Sequence, residues 1–379
     1  MSKELGLWDV YCIATGAMFS SGFFLLPGLA TATAGPSAVV AYLLAGLLMI
    51  PSMFSMLELS TALPRAGGAY YFLDRSLGPA VGTVTGVGTW LSLVLKSAFS
   101  LVGMGAYLAV IPLIGEFVAP DTAGAAWSIK LIAVALTVFF VVVNIFGSHQ
   151  SARLQKLLVI AILGILGLFV VEGFWHVFTR MPEGALEKQY TPFLHAERGW
   201  TGLFSTVGLV FVSYAGLTKV ASISEEVRKP ERNLPWAMIL SLATATAVYV
   251  GGVFIMIAVL EPTDLREDYT PVHTAATAFA GWPPKPVLPA LVIIAALAAF
   301  ASTGNAGILS ASRYPLAMAR DRLAPPAFEK VGWFGTPTRG ILLTGGIVTV
   351  FIVAFSAEGV AKLGSTFNLF VFGLVNIAV

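Results

Sequence analysis

Ten stretches of this chain are long and apolar enough to cross a bilayer, and that count constrains the fold more than any other feature. A helix needs about 20 apolar residues to cover a hydrocarbon core ~30 Å thick. By that measure the stretches lie at roughly 8–34, 38–63, 80–110, 128–146, 154–178, 200–224, 235–260, 286–312, 338–356 and 360–379. The 379 residues are 57% hydrophobic and only 11% charged, whereas a soluble domain is about a quarter charged. Polar groups cannot cover such a chain in water, so lipid is the solvent for most of it. The reading is an all-α membrane protein, a single transmembrane domain over residues 1–379.

Other classes recede on composition. A net charge of +2 is too small to point to a nucleic-acid partner, and Cys12 is the only cysteine, so no disulfide framework exists. The first apolar run follows Ser2-Lys3-Glu4 almost at once. It is too long and too glycine-broken for a signal peptide and reads as the first span. The last run stops at Val379 with no charged or aromatic flank, from which a natural continuation is expected. Of the lysines and arginines between runs, thirteen fall on the side holding Lys3, Arg65, Arg228 and Arg313, and seven on the side holding Arg180, Arg198 and Lys362. The richer side is expected to be cytoplasmic, with the N-terminus inside a cell (inner) membrane. Lys96 and Lys219 belong to neither set.

Runs 1 and 6 share an oddity. Run 1 contains Gly16-Ala17-Met18-Phe19-Ser20-Ser21-Gly22 and run 6 contains Phe211-Val212-Ser213-Tyr214-Ala215-Gly216-Leu217-Thr218. Glycine costs a helix interior about 1 kcal/mol against alanine, and unpaired backbone in lipid costs several more. Such breaks are tolerated where they line a protein-enclosed cavity. A single glycine is more simply read as allowing close helix packing, but matched breaks opening two sets of five runs favour the cavity. Five runs per half force the halves, about 8–178 and 200–379, into opposite orientations. This is a five-plus-five inverted-repeat transporter core with discontinuous helices 1 and 6.

Four motifs then resemble the amino acid–polyamine–organocation permease superfamily. Ser20-Ser21-Gly22-Phe23-Phe24-Leu25-Leu26-Pro27-Gly28 is similar to its first-helix signature, and Glu58-Leu59-Ser60-Thr61-Ala62-Leu63-Pro64-Arg65-Ala66-Gly67-Gly68-Ala69-Tyr70 to the one after its second helix. Glu225-Glu226-Val227-Arg228-Lys229-Pro230-Glu231-Arg232-Asn233-Leu234-Pro235 resembles the loop after its sixth. Ser312-Arg313-Tyr314-Pro315-Leu316-Ala317-Met318-Ala319-Arg320-Asp321 resembles the loop after its eighth. Family members usually have about twelve helices, so the last two are absent from these residues. The resemblance implies amino acid substrates moved by alternating access without ATP hydrolysis, and no Gly-x-x-x-x-Gly-Lys-[Ser/Thr] loop is present.

A broken helix exposes amides at the start of its second half, where an anion is favoured. Ser20, Ser21 and Gly22 are therefore expected to hold a substrate carboxylate. The carbonyls of Val212 and Ala215, beside Gly216, would take its ammonium, as the resemblance implies. Met18 and Tyr214 would line or gate the pocket, although a packed aromatic explains Tyr214 as well. No carboxylate lies mid-span in runs 1, 3, 6, 8 or 10, so a second substrate cation would be left unpaired at a high cost. Small neutral amino acids fit better. Relatives that exchange cations often carry an acid where this chain has Thr218.

The driving force stays open among a proton, a sodium ion and plain exchange, and no other cofactor is expected. Lys219 and Lys96 are candidate proton carriers, because a lysine buried in the membrane is costly when charged and often marks an ion path. Each has a simpler reading as a tether or a snorkelling side chain. Some proton-coupled relatives place a lysine in segment 5, but Ile160–Gly167 holds none. The only metal ion in view is sodium. The resemblance puts it at the hydroxyls of Ser302 and Thr303, with carbonyls of Gly16 and Phe19 completing an oxygen cage, unless those hydroxyls bond back to their own helix. An intramembrane enzyme would need a facing nucleophile–base pair or metal ligands, and His149, His176, His195 and His273 all lie in or near loops. A channel or a solute sensor on the same scaffold is the other alternative. The expected partners are an amino acid and the bilayer, and nothing in the residues fixes an oligomeric state.

Overall fold

The structure is a computed structural model that describes residues 5–62, 68–116, 118, 122–147, 152–217, 220, 227–279, 281, 286–332 and 334–379. Its helices are α1 (Leu7–Met18), α2 (Ser21–Phe24), α3 (Leu26–Ala34), α4 (Ala38–Ala62), α5 (Gly68–Leu77), α6 (Pro79–Ala109), α7 (Pro112–Gly115), α8 (Thr122–Ile145) and α9 (Ala152–Thr179). They continue as α10 (Ala185–Gln189), α11 (Gly199–Val210), α12 (Pro230–Val259), α13 (Pro262–Glu267), α14 (Pro271–Phe279), α15 (Val287–Arg320), α16 (Thr338–Ala354) and α17 (Ala357–Ile377). Among the described residues there is no β-strand, only one bridge between Leu5 and Val227.

By length and composition seven stretches can cross a membrane: Leu26–Ala62, Pro79–Ala109, Gly124–Ile145, Gln155–Thr179, Pro230–Val259, Val287–Arg320 and Ala357–Ile377. Thr338–Ala354 is a shorter apolar helix. The protein is a multi-pass membrane protein. Among the described residues every one of the ten apolar runs falls mostly on helix, but runs 1 and 6 do so differently from the rest. Run 1 is divided into α1, α2 and α3. Run 6 is α11 followed by a 3-10 turn over Phe211–Leu217, and most of 218–226 lies outside the described residues. Run 8 was expected to end near Arg313, yet α15 continues to Arg320. Charge ends a span without ending a helix, because arginine is a good helix former.

Helices in lipid cannot rely on a hydrophobic drive to meet, since lipid tails are as apolar as leucine. Close packing of small residues and interhelical hydrogen bonds take over. The inward face of α6 follows that rule, with Gly82, Thr85, Gly86, Thr89, Ser92, Ser97, Ser100 and Gly103 all buried, and it packs extensively on α15. The outward faces of α8 and α9 expose Leu131, Val138, Phe139, Leu157, Ile160 and Val171, a surface made for acyl chains.

Helix α5 was not among the ten runs. It is short and amphipathic, burying Ala69, Tyr70, Phe72 and Leu73, and it lies against α6. Its Tyr70 hydroxyl donates to Asp321 at the end of α15, 2.6 Å away. Burial, and then that carboxylate, push the Tyr70 phenol well above its usual pKa, so the donor keeps its proton at any working pH.

Candidate functional site

Helix α1 stops where its sequence turns to serine and glycine. The Phe19 amide makes the last bond back, to the Thr15 carbonyl at 3.0 Å, and Phe19 itself is extended, so the chain leaves the helix before α2 begins. Serine side chains compete with helix backbone bonds, and the interruption frees carbonyls that lipid cannot satisfy. The structure supplies a donor for several of them from distant helices. Lys96 Nζ on α6 donates to the Ala17 carbonyl at 2.9 Å, and the Tyr249 hydroxyl on α12 donates to the Met18 carbonyl at 2.8 Å. Beyond the break, the Tyr42 hydroxyl on α4 donates to the Gly22 carbonyl at 2.8 Å, and the Tyr107 hydroxyl on α6 to the Phe24 carbonyl at 3.0 Å.

The 3-10 turn is held in the same way. The Ser365 hydroxyl on α17 donates to the Leu209 carbonyl at 2.6 Å and accepts from the Val212 amide at 3.3 Å. The Tyr249 hydroxyl also reaches the Ser213 carbonyl, at 3.3 Å, so one phenol touches both interruptions.

The two interruptions press against each other. A Cβ on Gly22 would lie 2.5 Å from both Cβ and Oγ of Ser213. A Cβ on Gly216 would lie 2.6 Å from the Ala17 carbonyl carbon and the Met18 nitrogen. Only glycine fits at either contact. Around this meeting point the Ser20 and Ser213 hydroxyls are buried with no hydrogen-bond partner among the described residues, a costly state for a polar group. Adjoining it is a small cavity, about 30 Å³, lined by Ala17, Thr89, Ser92, Leu93, Lys96, Ala215, Gly216, Thr303, Gly307, Asn368 and Val371.

Comparison with known proteins gives this site its context. The profile of the amino acid permease family matches residues 5–379. The chain belongs to that family. A methylthioribose transporter of Bacillus subtilis is 26% identical over all of this chain and 81% of its own length. An uncharacterized transporter of Mycobacterium tuberculosis is 30% identical over 99% of this chain and 79% of its own. A serine/threonine exchanger of Bacillus subtilis is 25% identical over 98% of this chain and 81% of its own. The permease is thus a transporter, not an enzyme.

The structure brings part of the expected set together. Ser20, Ser21 and Gly22 are buried at the permease's first interruption, facing the turn that carries Val212, Ala215 and Gly216. Ala215, Gly216, Thr303 and Lys96 share the cavity. Other expected residues stand apart from it. Tyr214 is fully buried beneath Gly46 of α4, and its hydroxyl donates to the Tyr42 carbonyl at 2.9 Å. It is a packed strut of the scaffold and not a lining residue. Met18 is buried under Gly216 and does not line the cavity either. Gly16 faces Val159 of α9, and the Phe19 ring packs edge-on to Tyr249 with centroids 5.4 Å apart. Ser302 is off the cavity wall, as expected for a neighbour about 100° around the helix from Thr303. Lys219 and Thr218 lie outside the described residues.

The residues that sequence reasoning missed are the donors, Tyr42, Tyr107, Tyr249 and Ser365. A usable signal existed, because a tyrosine deep in an apolar span must find an acceptor and broken segments provide spare carbonyls. Tyr249→Phe is expected to destabilise the permease by about 1–3 kcal/mol, the cost of stranding a buried acceptor. It would register as a fall of several degrees in the melting temperature of the detergent-purified protein. A melting temperature within a degree of wild type would show that this bond does not hold the interruption.

Proposed function

We propose that this permease moves small neutral amino acids across the cell membrane by secondary active transport. The observation that carries this reading is the meeting of the break after α1 with the 3-10 turn, at Gly22 and Ser213, where the Ser20 and Ser213 hydroxyls are buried without partners among the described residues. Two unsatisfied hydroxyls beside two glycine-tight backbones are what a small zwitterion would complete. The amides of Ser20, Ser21 and Gly22 take the carboxylate, and the carbonyls of Val212 and Ala215 take the ammonium. The cavity carries no carboxylate among its described lining residues, in keeping with a substrate that brings no second positive charge.

In this reading the two halves form a five-plus-five inverted repeat with helices 1 and 6 discontinuous, and alternating access rocks one group of helices against the other. The N-terminus is cytoplasmic. The break between Met18 and Ser21, and the change from α-helix to 3-10 geometry at Phe211, support it. Tyr42 and Tyr249 support it too, as hydroxyls from the second span of each half that donate to the interrupted backbone. Coupling takes one of three forms: a proton carried by Lys219 or Lys96, a sodium ion at Gly16, Phe19, Ser302 and Thr303, or exchange. The likeness to a serine/threonine exchanger favours exchange as the second reading.

The deciding experiment is uptake of labelled amino acids into proteoliposomes under a proton gradient, a sodium gradient or neither, with the last arm repeated on vesicles preloaded with amino acids. Accumulation of neutral amino acids in any arm is the expected result, and the responsive arm names the coupling. If protons drive it through Lys219, Lys219→Ala is expected to flatten the pH profile of uptake. An unchanged profile would leave that lysine a tether. Folded protein that takes up no amino acid in any arm would sink the reading.

A further inference from the structure

The cavity beside the two interruptions is small, and much of its wall is hydroxyl and amide. At about 30 Å³ it has room for roughly two non-hydrogen atoms, since one water needs about 10–15 Å³ on the same measure. Ala17 at the end of α1 and Ala215 and Gly216 on the 3-10 turn line it, so it touches both segments assigned to the substrate. Helix α6 adds Thr89 and Ser92, α15 adds Thr303 and α17 adds Asn368. A polar side chain in a helix usually spends its donor on the carbonyl one turn back. Thr89 does so on the Thr85 carbonyl at 2.8 Å, and Asn368 on the Gly364 carbonyl at 3.0 Å. Ser92 and Thr303 do not. Each is more than nine-tenths buried, and neither hydroxyl makes a hydrogen bond among the described residues. Two buried hydroxyls, from helices that pack on each other, thus keep their bonding capacity for whatever enters.

We propose that Ser92 and Thr303 are specificity-determining residues that recognise a hydroxyl on the substrate side chain, making serine and threonine the preferred substrates. The inference rests on the amino acid reading above and deepens it by naming the side chain. A zwitterion held at the interruptions sends its side chain into this cavity, where a hydroxyl donates to one wall and accepts from the other. A methyl group of the same shape leaves two buried hydroxyls unpaired, a penalty that lowers affinity about tenfold or more. Size sets the second limit. Serine places one atom beyond Cβ in a space for roughly two, whereas leucine places three. The assignment gives Thr303 to the substrate, so a sodium ion could not hold the same hydroxyl.

The test uses pairs of amino acids that differ only in a hydroxyl replaced by a methyl group. Serine and 2-aminobutyrate form one pair, threonine and valine the other, and leucine tests the size limit. Each is titrated against the full purified chain, with ligand-induced thermal stabilisation as the readout, and again on Ser92→Ala and Thr303→Val. Wild type is expected to bind serine about tenfold or more tightly than 2-aminobutyrate, threonine over valine by a similar factor, and leucine more weakly than either hydroxyl amino acid. In each variant the serine to 2-aminobutyrate ratio should fall to about threefold or less. A ratio taken within one variant cancels any loss of stability common to both ligands, so a merely structural hydroxyl would leave it where it was. Two separate variants keep the test decisive if one does not fold. Serine and 2-aminobutyrate bound alike by wild type would overturn the hydroxyl assignment alone, as would a ratio unchanged in the variants. Leucine bound as tightly as serine would remove the cavity from side-chain recognition. Binding of none of the five would overturn the amino acid reading with it.

Discussion

Gly22→Leu is expected to abolish substrate binding while leaving the protein inserted and folded. The reason is the 2.5 Å between a Cβ at position 22 and the Ser213 side chain, with Ser213 Cα only 2.9 Å away. Even alanine must push the two interruptions apart, at an overpacking cost of about 1–3 kcal/mol. Leucine adds three more carbons to the same point and displaces the amides assigned to the carboxylate. Affinity should fall by about a hundredfold or more on that scale, with helix content by circular dichroism and elution as a single species unchanged. Gly22→Ala should fall between. Wild-type affinity in Gly22→Leu would remove this meeting point from the site.

Gly216→Ala is expected to do damage of a different kind. The atoms that its Cβ would strike at 2.6 Å are backbone atoms of Ala17 and Met18, and no rotamer change can move them aside. The strain has to be taken up by shifting α1 against the 3-10 turn, which also disturbs the Tyr249 bonds to both. Melting temperature and transport should therefore fall together, whereas Gly22→Ala should cost binding first. A variant that transports at the wild-type rate would show that the turn does not press on α1 in the working protein.

Much of this molecule is legible in its residues, and what was hidden has a common cause. The ten apolar runs were plain because length and hydropathy are local properties, and among the described residues each is mostly helical. Helix α5 escaped because ten amphipathic residues resemble a loop when only spans are sought. The interruptions at Ser20-Ser21-Gly22 and Phe211–Leu217 were visible as small and polar residues where leucine was due. Their partners were not visible. Tyr249 stands 231 residues from Met18, and Ser365 stands 153 from Val212. No periodicity links positions that far apart. Tyr214 was left open between a pocket residue and a packed aromatic for a related reason: sitting in the turn does not decide which way a ring points, and Gly46 of α4 provides the space that it fills.

The phenol of Tyr249 has a single proton and two carbonyls within reach, Met18 at 2.8 Å and Ser213 at 3.3 Å. If the two segments part, that proton can follow either oxygen, and the loss is one weak interaction instead of two full ones. One side chain thus ties two segments that lie 195 residues apart in sequence, and it does so unequally, with the shorter bond on the Met18 side.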